Sequence, residues 1–130
     1  MKIFVIDDEE SIRETFKFHF ESKGHEVITA ENPTFFDIEN GCGDSNFHPC
    51  GDILITDYLM PQMTGLELIQ HLRQGGCKRN PANNYIMSGV LNGLDMDRVN
   101  EYECNFLQKP VTFEMLDHII EDVIRRNAPT

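Results

Sequence analysis

Five short apolar segments, each separated from the next by a stretch long enough for a helix, restrict this chain to a narrow set of architectures. KIFVI at 2–6, EVITA at 26–30, DILIT at 52–56, NYIMS at 84–88 and NFLQ at 105–108 are bounded by polar, Gly or Pro residues. Such runs read as strands, and apolar residues at helical spacing lie between them. Residues 9–23 place Ile12, Phe16, His19, Phe20 and Lys23 near one face and stop at Gly24. A second helix starts at Asn32–Pro33 and ends at Gly41. A third begins near Gly65, turns Leu66, Ile69 and Leu72 inward and breaks at Gly75 and Gly76. A weaker fourth starts near Asn92, and a fifth, capped by Thr112, carries Phe113, Leu116, Ile120, Val123 and Ile124. The alternation predicts an α/β domain of (βα)5 form.

Strands that alternate with helices make a parallel sheet covered on both sides, because each right-handed crossover lays its helix on a sheet face. Ligands of such doubly wound sheets gather at the carboxyl ends of the strands. Two segments stand outside the plan: ENGCGDSNFHPCG at 39–51 reads as a long irregular loop, and GGCKRNPANN at 75–84 as a shorter one. The 130 residues suit one domain, 1–130, with a core of its own.

The strand ends carry Asp7 and Asp8, then Asp57, then Ser88, then Lys109 and Pro110. Three carboxylates on one rim repel by roughly 1 kcal/mol per close pair in water and about 4 at an intermediate dielectric. Cations must compensate. Lys109 supplies one charge, and a hard divalent ion with oxygen ligands supplies the rest; Mg²⁺ suits this set better than zinc, with Mn²⁺ as a substitute. A carboxylate beside a divalent ion, an ammonium and a hydroxyl is placed to attack phosphorus, since all three stabilise charge on the transferring group. Asp57, at the end of a core strand, is the expected nucleophile.

With these residues in place the chain resembles the receiver domain of two-component response regulators along essentially its whole length. The matching pieces are IDD at 6–8, TDYLMPQMTG at 56–65, MSG at 87–89 and FLQKP at 106–110. The resemblance implies a flavodoxin-like sheet of order 2-1-3-4-5, similar to the chemotaxis-type single-domain regulators. It implies Asp57 as phosphoacceptor, with Asp8, Asp57 and the backbone carbonyl of Leu59 on the metal and Asp7 acting mainly through water. Lys109 would pair with the phosphoryl group, and the Lys109–Pro110 peptide would be cis. Ser88 and Phe106 would form the switch pair, the hydroxyl binding the phosphoryl group while the ring turns inward. The implied partners are a histidine kinase or histidine phosphotransfer protein and a downstream protein met by the fourth-helix, fifth-strand, fifth-helix face. The implied state is a monomer or a phosphorylation-dependent dimer, a switch more than an enzyme. Gly89 stands where the family most often has alanine, and the 39–51 loop is longer than usual. Leu59 and Val90, two residues beyond Asp57 and Ser88, cannot hydrogen-bond a water, which predicts a long-lived phosphoryl group.

Charge narrows the alternatives. Twenty-two acidic against eleven basic residues give a net charge of −11, which argues against a direct grip on nucleic acid. No apolar run has the length of a membrane span, and the opening MKIFVIDDEE turns acidic where a secretory leader stays apolar, so the expected compartment is the cytoplasm. Cys42, Cys50, Cys77 and Cys104 are irregularly spaced and read as free thiols. Cys42, His48 and Cys50 leave zinc short of a fourth ligand. His19, His71 and His118 read as surface or boundary residues, and Met115 and Ile119 as core margin. An aspartyl-nucleophile phosphatase of the haloacid-dehalogenase kind needs an acid two residues after the nucleophile, where this chain has Leu59. A flavin carrier would need donors, not DDEE, in its first loop. A receiver that binds partners without phosphorylation is the remaining alternative.

Overall fold

The computed structural model describes residues 1–32, 51–74, 79–89 and 96–127. Within them run β1 (Lys2–Ile6), α1 (Glu10–Ser22), β2 (Glu26–Ala30), β3 (Ile53–Asp57), α2 (Gly65–Gln74), β4 (Asn84–Ser88), α3 (Met96–Glu101), β5 (Asn105–Gln108) and α4 (Phe113–Asn127), with a 3-10 turn at Pro81–Asn83. The strands form one sheet of order β2-β1-β3-β4-β5, parallel throughout. This is the flavodoxin-like arrangement the sequence implied. All but the first residue of the helical pattern from Asn32 to Gly41, almost all of the 39–51 loop, Gly75, Gly76, Val90 and Asn92 lie outside the described residues. The fourth and fifth sequence patterns correspond to α3 and α4.

Strand periodicity of two divides the core into two layers. Odd positions Ile3, Val5, Ile53, Ile55, Tyr85 and Met87 meet Phe16 and Phe20 of α1 and Leu116, Ile119 and Val123 of α4. Even positions Phe4, Ile6, Leu54 and Ile86 meet Leu66, Leu68, Ile69 and Leu72 of α2 and Val99 of α3. Each large apolar side chain buried this way contributes roughly 1.5–3 kcal/mol relative to exposure, before entropy is counted. α1 ends where Gly24 takes φ +89°, the left-handed conformation that glycine adopts without strain.

Three details differ from the sequence reading. β3 runs to Asp57, because Asp57 still pairs with Met87 of β4; the carboxylate closes the strand and does not follow it. Asp52 lies before the strand and accepts the Lys2 amide at 2.8 Å. The inward stripe of α4 is Leu116, Ile119 and Val123, so Ile119 is core at 2 % exposure, whereas Phe113 and Ile124 are 48 % and 55 % exposed. A three-four spacing from Leu116 reaches Ile119 and Val123 and leaves Phe113 at the helix edge.

Candidate functional site

The same parity that sorts the core assembles the site. Asp7 continues the odd row of β1 and Asp57 that of β3, while Lys109 continues the row of Leu107 in β5. All three therefore emerge at the carboxyl rim on the α1/α4 side of the sheet. Gly65, the first residue of α2, keeps the β3 end clear: a Cβ there would lie 2.7 Å from the Asp57 carbonyl oxygen.

Lys109 Nζ donates to Asp7 Oδ2 at 2.9 Å and stands 3.4 Å from Asp57 Oδ1. Asp7, with 0 % exposure, also accepts the Glu9 amide on Oδ1 at 2.8 Å and the Arg13 guanidinium on its main-chain carbonyl at 2.8 Å. Carboxylate oxygens of Asp7, Asp8 and Asp57 lie within 4.8 Å of one another. Burial pushes the Asp57 carboxyl above its ordinary value, Lys109 opposes this, and Asp7 and Asp8 add to it. For Lys109, burial alone would lower the ammonium; the hydrogen bond and charge of Asp7, then Asp57, outweigh it and raise it.

These residues fit a hard divalent cation. The donors are carboxylate oxygens in one cluster, three acids against the one ammonium of Lys109, a ligand set of the kind hard divalent ions take. Asp7 already spends both oxygens on protein donors, which leaves Asp8, exposed at the rim, and Asp57 as the better direct ligands.

Ser88 closes β4 at 5 % exposure, and its carbonyl accepts the Lys109 amide at 2.9 Å. Phe106 pairs with Ile86, two residues below Ser88 in register, so its ring and the Ser88 side chain share the even face, where Phe106 packs at the edge of the α2/α3 core. The Lys109–Pro110 peptide is cis. The Leu59 side chain is 64 % exposed, and a Cβ on Gly89 would meet open space. Val90, Cys42, His48 and Cys50 lie outside the described residues.

His19 departs from its reading as a surface or boundary residue. It is 9 % exposed, bonds Asp117 at 2.7 Å and stacks on Phe113 with centroids 4.4 Å apart. Its place in the row Phe16, His19, Phe20 is the signal that it turns inward. Arg13 escapes motif reading altogether; the only hint is its position one turn into the helix that follows the acidic pair.

The family model for the response regulator receiver domain matches residues 3–121. The phosphate regulon transcriptional regulatory protein PhoB of Escherichia coli (strain K12) is 28% identical over 131 residues, 98% of this chain and 53% of that protein. The chemotaxis protein CheY homolog of Campylobacter jejuni (strain 81-176) is 28% identical over 129 residues, 95% of this chain and 92% of that protein. The chain thus spans about half the length of the first of these relatives and most of the second. Among solved structures, the response regulator receiver domain protein from Clostridium thermocellum superposes with a TM-score of 0.71 at 29% identity, covering 96% of this chain and 94% of that one.

Proposed function

Because this chain belongs to the response regulator receiver domain family of two-component signalling, we propose that it accepts a phosphoryl group on Asp57 and signals by a change of conformation. The donor is a phosphohistidine on a histidine kinase or phosphotransfer protein. An Asp57 carboxylate oxygen forms the new O–P bond as the donor's P–N bond breaks, and the imidazole leaves with a proton taken from solvent. Mg²⁺, held by Asp8, Asp57 and the Leu59 carbonyl, would supply charge neutralisation for the phosphoryl oxygens.

The chain's own groups do the rest. Lys109 is held at the cluster by Asp7 and Asp57 and offers its ammonium to an incoming anion without leaving the site. Asp7, buried and with a protein donor on each carboxylate oxygen, anchors Lys109. The Ser88 hydroxyl donates to a phosphoryl oxygen, and Phe106, on the same sheet face and only partly buried, is the ring that would turn inward with it. Phosphorylation then shifts a pre-existing equilibrium of the α3, β5 and α4 face by the difference in contacts between its two states.

The observation that supports this reading best is the Lys109 ammonium, 2.9 Å from Asp7 and 3.4 Å from Asp57, on a rim with three clustered acids. Incubation with acetyl phosphate and Mg²⁺ followed by intact mass should add one phosphoryl group to the wild type and none to Asp57→Ala. A wild type that stays unlabelled by this donor and by phosphohistidine donors would leave a receiver that binds partners without phosphorylation.

A further inference from the structure

We propose that Arg13 is a positioning residue for the acidic turn: by holding the Asp7 carbonyl it fixes the direction in which Asp8 presents its carboxylate to the divalent ion. The inference rests on the receiver reading above and concerns how its metal site is held.

The ladder of β1 stops at Ile6, which pairs with Ala30 of β2 and Thr56 of β3. One residue further the chain must leave the sheet and still aim a side chain. Asp7 donates its amide to the Ala30 carbonyl at 3.1 Å, but its own carbonyl has passed the end of the strand register. A carbonyl turned away from the sheet beside buried residues needs another donor. The Arg13 guanidinium takes that place, with Nη1 at 2.8 Å.

The geometry makes this contact a lever on Asp8. The Asp7–Asp8 peptide is planar, so fixing the direction of its C=O also fixes its N–H and the position of the Asp8 Cα. The Asp7 side chain is already tied at both oxygens, by the Glu9 amide and by Lys109. With the carbonyl held as well, the turn leaves Asp8 little freedom beyond its own side-chain torsions. Asp8 is exposed, and its rim position leaves little packing to direct it.

Charge alone predicts the opposite of positioning. A bare cation bonded to the Asp7 main chain, next to the acidic cluster, opposes the charge of a divalent ion, so deleting it should tighten metal binding. Loss of an orienting contact to a metal-ligand segment should weaken binding, by roughly tenfold at the lower end of such effects. The sign separates the two roles.

The test is Mg²⁺ titration of the whole chain by calorimetry, with urea midpoints as a fold control. Arg13→Ala is expected to bind Mg²⁺ roughly tenfold more weakly. Its labelling by acetyl phosphate should fall at limiting Mg²⁺ and return to near the wild-type rate at saturating Mg²⁺. Arg13→Lys, which keeps the charge and a donor, should recover part of the lost affinity. If Arg13→Ala does not fold, Arg13→Gln replaces it with the same expected direction. Wild-type affinity or tighter binding in the folded variant overturns the positioning role. A wild type that neither binds Mg²⁺ nor takes the label overturns the phosphoacceptor reading itself.

Discussion

His19 Nε2 on α1 lies 2.7 Å from Asp117 Oδ1 on α4, with the imidazole stacked on Phe113 at 4.4 Å and an interplanar angle of 6°. This contact joins the helix after the acidic turn to the helix after Lys109. His19→Ala removes an aromatic side chain that also meets Phe20, and should cost roughly 2 kcal/mol by urea denaturation. The hydrogen bond from His19 holds the Asp117 carboxyl below its ordinary 3.8; burial opposes this, and the charges of His19, Lys23 and His118 support it. A depressed carboxyl stabilises the fold above its unfolded value and loses that contribution as pH falls through the folded one. Asp117→Asn should therefore lower the urea midpoint at neutral pH, and the gap should close below 3.8. A gap that persists in acid would show that charge is not its source.

Much of this was legible in advance because apolar runs and helical spacing report burial directly. Ile3, Val5, Ile53 and Ile55 are core for the same reason that they read as strand. Asp57 and Lys109 were legible because strand-end position follows from the strands themselves. His19 was not, since a polar residue on an inward row shows its partner only when Asp117, 98 positions away, is brought to it. Arg13 was hidden for a similar reason: its partner is a main-chain carbonyl, which has no sequence signature.

Asp57→Asn should stabilise the metal-free domain. Burial raises the Asp57 carboxyl, Lys109 only partly offsets that, and Asp7 and Asp8 add repulsion. For an acid with a raised folded value, the folded state binds more protons, so stability falls as pH rises from the unfolded 3.8 through the folded value. At neutral pH the variant should melt higher than the wild type, and below 3.8 the two should converge. Mg²⁺ should narrow the neutral-pH gap by stabilising the wild type, by about 1.4 kcal/mol at a tenfold excess over its Kd. Equal melting temperatures at neutral pH without metal would contradict the electrostatic account of the rim.

Gly89→Ala should be tolerated. A Cβ at this position meets nothing within 4 Å, and Gly89 is not among the glycines with positive φ. Alanine removes freedom from the unfolded chain and should stabilise by about 0.4–1 kcal/mol, read as a raised melting temperature. A lowered melting temperature would mean that the loop after Ser88 depends on a backbone conformation that only glycine adopts.

Leu59 sets the last expectation, the lifetime of the phosphorylated protein. Its side chain is 64 % exposed and stands two residues beyond Asp57, and on the proposed phosphoacceptor reading it borders the water that would attack the phosphorus. Hydrolysis requires that water to be oriented, and an alkyl group offers it neither donor nor acceptor. Leu59→Gln, alone and with Val90→Ser, should speed loss of label roughly tenfold, below the hundredfold or more of a well-aligned base, because a flexible surface amide orients water only part of the time. For Leu59→Gln, an exposed substitution, stability should stay within about 0.5 kcal/mol, and urea midpoints of both variants check that a change in decay is not unfolding. The label is followed by intact mass after the donor is removed. An unchanged half-life in both variants would mean that access to the phosphorus, and not orientation of the water, limits hydrolysis at this site.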